Sequence, residues 1–215
     1  MGFVAKDTFD FAPGTRFKYD NSGYILLGMV IERVSGKSYA KYLESEFFKP
    51  LGLTHTSYCP SHPTDTAFAT GYSKKDDGVV PHEYLSLTQP YAAGSLCSTV
   101  GDFVQWQRDL AAGKVVSPES FTQMTTAGTL KSGEHTHYGF GLAPGDILGH
   151  KDVGHSGGIP GYTTMAYYFP ADTLNVVIFS NYDGASPAFL AGNIARIAYG
   201  GAPQAAPPPP QKPRP

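Results

Sequence analysis

The chain of 215 residues predicts an α+β fold. Helix-type patterns recur near 23–34, 38–49, 99–113 and 118–125. The β-type runs 138–142, 162–169 and 174–180 come after them. An amphipathic stretch at 185–199 closes the folded part. Helices, then strands joined by short turns, then a helix is the order of an α+β domain, because parallel strands need a long crossover between them.

The elements follow in order. Phe9 and Phe11 alternate toward a Pro13-Gly14 turn. The run from Gly23 to Val34 is apolar nearly all round and reads as a buried helix, with Ser22 as its cap and Gly36 as its stop. A second helix follows Ser38, carries Tyr39, Tyr42, Leu43 and Phe47 on one face, and stops near Lys49-Pro50. Residues 54–95, rich in Thr, Ser, Pro, Asp and Gly, read as a long irregular excursion. Ser98 or Thr99 opens a helix with Phe103, Trp106 and Leu110 that ends at Gly113. Ser117-Pro118-Glu119 sets a cap before a proline at the first helical position. Tyr138-Gly-Phe-Gly-Leu142 reads as β-type. Pro170-Ala171-Asp172 is a hairpin turn between two further strands. The last helix has Phe189, Leu190, Ile194 and Ile197 as its apolar stripe.

The folded domain is read as 1–201. Residues 202–215 hold seven of the 18 prolines and read as a solvated polyproline tail or linker. That composition also suits an aromatic-groove partner. Apolar residues make up 41% and charged residues 16%, enough for a packed core. Lys and Arg number 16 against 18 Asp and Glu, so no basic excess exists to neutralise a nucleic-acid backbone. No apolar run reaches the roughly 18–20 residues of a membrane span. Met1-Gly-Phe-Val-Ala-Lys6 lacks the layout of a signal peptide. Cys59 and Cys97 make no disulfide framework and match no zinc spacing; they read as free thiols, and the sequence does not decide their pairing.

Four groups of residues carry chemistry in their types and spacing. Tyr19-Asp20-Asn21 stands immediately before the first helix. A phenol and a carboxamide placed there either enter one cleft, as a proton-transfer group and an amide contact, or make an ordinary loop. Gly154-His-Ser-Gly-Gly158 has the G-x-S-x-G form of a nucleophile elbow. The run that follows is strand-like, however, and no His lies downstream of Ser156. The remaining readings are a glycine-rich strand edge offering His155 and Ser156 to a cleft, or a plain turn. His135 and His137 beside Glu134 gather no further ligands and read as surface histidines, and no metal or cofactor is expected. Ser38-Tyr-Ala-Lys41 spells S-x-x-K, but Ser38 also fits an ordinary helix cap.

Together these pieces are identified with a known family. FAPGTRFKYDNSGYILLGMVIERVSGKSYAKYLESEFFKPLGLTHTSY, AAGSLCSTVGDFVQW and GHSGGIPGYTTMAYYFP resemble, in order, the class C β-lactamase, D-Ala-D-Ala carboxypeptidase and β-lactamase-like esterase superfamily. The resemblance covers roughly 9–200. It implies a β-lactamase/transpeptidase-like fold and acyl-enzyme hydrolysis of a β-lactam, a D-Ala peptide or an ester. It implies a catalytic role for Tyr19 in proton transfer and a substrate-amide contact for Asn21. By the same match, His155, Ser156 and Gly157 contact the substrate carboxylate or its equivalent, and Gly158 offers a backbone N–H to the oxyanion.

The chain departs from the family in one place. The family's S-x-x-K nucleophile precedes Tyr-x-Asn, and no S-x-x-K stands before Tyr19 here. Thr15-Arg-Phe-Lys18 has a related spacing but matches a loop. The expectation is a domain lacking the N-terminal strands and nucleophile helix, with exposed apolar surface and an open strand edge. Self-association or a complementing N-terminal fragment would cover these. The alternative is a non-catalytic binding or interaction module that keeps the cleft. The family is mostly periplasmic or secreted.

Overall fold

A computed structural model describes residues 8–59, 68–76, 78–83, 86 and 89–206. The first helix, α1, spans Asn21–Ser35. Its cap is Asp20 and not Ser22: the Asp20 carboxylate accepts from the Ser22 and Gly23 amides at 2.8 and 3.0 Å. Extended backbone at Asp20 aims its side chain at those orphan donors, and Ser22 is already inside the first turn. At the other end Gly36 adopts φ 70° and its N–H reaches Glu32 O. The helix α2, Tyr39–Leu43, runs on into a π turn at Glu44–Phe48. Ser38 caps it by accepting from the Lys41 amide at 3.3 Å.

The excursion after Leu53 is more regular than its composition suggests. The strand β1, Ser57–Tyr58, pairs antiparallel with β4, Leu96–Cys97. Between them β2, Tyr72–Lys75, and β3, Gly78–Pro81, form a hairpin. The β1–β4 register sets Ser57 opposite Cys97 and brings Cys59 close, so the two cysteines are bonded and not free, with Cα atoms 5.1 Å apart. The helix α3, Val100–Ala111, is capped by Thr99, and α4, Pro118–Thr125, by Ser117.

Residues 138–142 are not a strand. Gly139 packs so closely on Met124 O that no side chain fits there, and Gly141 has φ 76°. The two glycines make a loop, and the strand β5 begins at Ala143 and ends at Ile147. Then come β6, His150–Ile159, β7, Tyr162–Phe169, and β8, Leu174–Ser180. They form one antiparallel sheet in the order β5-β6-β7-β8. Phe169, Val176 and Met165 on one face of this sheet pack against α5, Pro187–Ala198.

Two helices differ from their sequence patterns. The face of α5 on the sheet is Ala191 and Ala195, both wholly buried, while Leu190 and Ile197 are 51% and 58% exposed. The sheet already supplies the bulky side chains, so only small residues let the helix approach. Similarly, α1 buries only Gly28, against Tyr91 and Ala92. Leu27 and Val30 are each 56% exposed and Val34 is 81% exposed. Spaced three and four residues apart, they form one apolar stripe facing solvent. The outer edge of β8 also has no partner strand among the described residues. Beyond α5 the chain is tied back by Asn193, which bonds Gln204 through both amide atoms. Residues 207–215 of the proline-rich tail lie outside the described residues.

Candidate active site

The Asp20 cap decides where the functional groups at the head of α1 stand. It turns the chain so that Tyr19 lies just outside the helix and Asn21 is its first residue, both exposed. The Tyr19 ring approaches His155 of β6, with centroids 5.9 Å apart. Tyr138, from the Gly-punctuated loop that precedes β5, completes a triangle of rings with them. Its ring meets Tyr19 edge-on at 5.7 Å, and its hydroxyl lies 2.7 Å from His155 Nε2. Phe17 closes the other side of Tyr138 at 5.7 Å. Phe17, Tyr19, Tyr24, Leu27, Tyr138 and Phe140 line an open groove of about 440 Å³ beside this cluster.

The strand register separates the residues of the His-Ser-Gly run. His155 is opposite Ala166, and Ser156 is opposite Met165, which packs on α5. Successive side chains leave opposite faces of a strand, so His155 faces the helical region with Tyr19 and Ser156 points the other way. Ser156 joins the site through its backbone: its carbonyl lies 2.5 Å from His155 Nδ1. A strand here, in place of the turn into a helix that an elbow requires, excludes the G-x-S-x-G reading of Ser156.

The two glycines that follow differ. A Cβ on Gly157 would collide with Thr164 Oγ1, so packing alone accounts for that glycine. Around Gly158 nothing lies within 4 Å of the place a Cβ would take. Among the described residues, His155 to Ile159 pair only with β7, because β5 pairing ends at Gly154. The outer edge of 155–159 therefore carries no strand partner among the described residues, and Gly158 is its barest point.

Electrostatics in the cluster are those of phenols. Burial, and then the nearby phenols of Tyr24 and Tyr19, hold the Tyr138 hydroxyl well above the usual tyrosine range. Burial also raises Tyr24. Both stay protonated at neutral pH and act as neutral donors or acceptors. Lys18, the cation on the groove wall, is paired with Asp10. Ser38 is engaged as the α2 cap. No cluster of three or more metal-ligating side chains occurs among the described residues, and His135 Nδ1 lies 3.1 Å from Thr129 Oγ1. Tyr138 and Tyr24 are the members of the cluster that sequence reading missed. A lone Tyr before Gly-Phe-Gly carries no periodic signal, and α1 patterning accounts for Tyr24 as core.

A Tyr-x-Asn helix head beside a His-Ser-Gly strand, on this α+β frame, is the arrangement that the resemblance to β-lactamase/transpeptidase-like folds implies. The chain matches the Beta-lactamase family over residues 1–199 and belongs to it. A D-aminopeptidase of Brucella ovis (strain ATCC 25840 / 63/290 / NCTC 10512) is 26% identical over 190 residues, which are 85% of this chain and 35% of that protein. Among solved structures, the octameric penicillin-binding protein homologue from Pyrococcus abyssi is 33% identical with a TM-score of 0.78, covering 89% of this chain and 44% of that one. The D-stereospecific amidohydrolase from Streptomyces sp. is 29% identical with a TM-score of 0.76, covering 90% and 58%. The chain thus spans from 35% to 58% of the length of these relatives.

Proposed function

We propose that this chain carries the proton-transfer and substrate-edge half of a serine acyl-transfer site. The acyl compound is an amide or ester of the β-lactam or D-amino-acid type. Tyr19 is the proton-transfer group and Asn21 contacts the substrate amide. The edge at His155 to Gly158 receives the substrate backbone, with Gly158 N–H positioned toward the oxyanion. A preorganised donor of that kind is typically worth about 3 kcal/mol in the transition state. The observation that carries this reading is the convergence of Tyr19, Tyr138 and His155 beside the open outer edge of β6.

The nucleophile and its Lys come from a further polypeptide segment that packs over the exposed stripe of α1. Two observations support this. Leu27 lines the groove beside Tyr19 and belongs to that stripe. The matched relatives also contain much sequence that this chain does not cover. The segment would bring Ser and Lys to the groove as it buries Leu27, Val30 and Val34.

The test is intact mass after incubation with a penicillin. The 215-residue chain alone should show no adduct. The same chain co-expressed with the preceding region of a relative should show one, mapped to that region. An adduct on Ser38 or Ser156 of the chain alone would overturn the assignment of the nucleophile. No adduct on either sample, and no turnover of D-amino-acid amides or esters, would favour a binding module that keeps the cleft.

A further inference from the structure

His155 has both ring nitrogens engaged. Nδ1 lies 2.5 Å from the carbonyl oxygen of Ser156. A carbonyl can only accept, so Nδ1 carries a proton and donates to it. Nε2 lies 2.7 Å from the Tyr138 hydroxyl. With Nδ1 protonated in the neutral ring, Nε2 holds the lone pair, and the phenol O–H must donate to it. The two partners together define one tautomer and one ring orientation. They also leave the neutral imidazole with no free N–H to offer a ligand.

Tyr138 is itself held. Its loop is fixed by Gly139 N–H donating to Leu142 O at 2.8 Å and by Phe140 N–H donating to Met124 O at 3.0 Å. Its ring is packed between Phe17 and Tyr19. The hydroxyl therefore meets His155 from a rigid support.

We propose that Tyr138 is a positioning residue: its hydroxyl locks His155 as the Nδ1–H tautomer, in ring contact with Tyr19, so that His155 orients Tyr19 rather than binding an anionic group of the substrate. The lock stands on the geometry of this chain. Its effect on turnover rests on the acyl-transfer reading above. A His155 that bound a substrate carboxylate would need a free N–H, and the locked ring has none.

The experiment is ¹⁵N NMR of histidine-labelled protein at neutral pH. Wild type should show His155 as a single tautomer, with Nδ1 protonated and Nε2 an unprotonated, hydrogen-bonded acceptor. Tyr138→Phe should keep the β6–β7 amide pattern while the Nε2 resonance moves to the free-acceptor position. An unchanged Nε2 resonance in that folded variant overturns the lock. So does a wild-type ring with its proton on Nε2, which needs no variant at all.

The second arm is kinetics on the complemented protein with a D-amino-acid amide. Tyr138→Phe should lower kcat by roughly 10-fold or more, a part of the ~10²–10⁴-fold that a positioned acid–base group supplies, with KM within about twofold. A change confined to KM overturns the positioning role. Wild type with no turnover, but with the expected NMR change, would refute the acyl-transfer reading and leave the lock standing.

Discussion

Asp152 lies on β6 three residues before His155 and is 4% exposed. Its carboxylate sits against the Cα of Gly145 on β5, where an added Cβ would lie 2.9 Å from both oxygens. Burial first, and then the charge of Asp146, push its pKa up to about 6, against a smaller opposing pull from Lys151. A carboxyl raised in the folded state binds protons that the unfolded chain, with a pKa near 3.9, has already released. The contribution of Asp152 to stability is therefore fullest below about pH 4 and is lost as pH rises through about 6. The cost of ionising a buried carboxylate reaches on the order of 3 kcal/mol at pH 7 by linkage. Asp152→Asn should match wild type at pH 4 and exceed it at pH 7 in urea unfolding. Equal stability of the two proteins at pH 7 would refute this account. At this scale the site was partly legible in the sequence. Tyr19 and His155 announce themselves by the helix head and the glycine-rich strand. Tyr138 does not, because its role comes from a loop that only tertiary packing closes onto His155.

The caps and stops of the helices were readable because each rests on local chemistry: Thr99, Ser117 and Gly36 act where their types predict. Which face a helix buries depends instead on its neighbour. Large residues at 190, 194 and 197 suggested the inner face of α5, yet the alanines meet a sheet already filled by Phe169 and Met165. The Cys59–Cys97 bond was invisible for a similar reason. Two cysteines carry no pairing signal until β1 and β4 align. That bond closes a separation of 38 residues, and loop-closure entropy assigns it about 4 kcal/mol. Cys97→Ala should lower the urea midpoint by an amount equivalent to about 2–4 kcal/mol, since engineered and native losses commonly fall in that range. A midpoint unchanged by reductant or by the substitution would show that the β1–β4 pair and its packing hold the excursion without the crosslink.

Across the whole molecule, apolar surface is distributed unevenly. The sheet and α5 enclose a core around Phe169. The outer side of α1 presents Leu27, Val30 and Val34, Phe140 is 66% exposed, and α5 presents Leu190 and Ile197. A continuous apolar stripe such as that of α1 is uncommon on monomers and marks a place that another surface covers. Covering a Leu or Val side chain contributes up to roughly 1.5–3 kcal/mol, so a surface that buries this stripe is favoured over water. The isolated 215-residue chain should therefore bind a hydrophobic dye and sediment as a concentration-dependent oligomer. Replacing Leu27 and Val30 together with Glu should leave the far-ultraviolet circular dichroism unchanged, because both side chains face solvent in the described fold. It should also reduce dye binding and self-association. The same pair of substitutions should abolish the penicillin adduct of the complemented protein, since the stripe that holds the covering segment adjoins the groove at Leu27. A monomeric wild-type chain without dye binding would mean that the face is satisfied within one copy, and the nucleophile would then have to be sought among the serines of this chain.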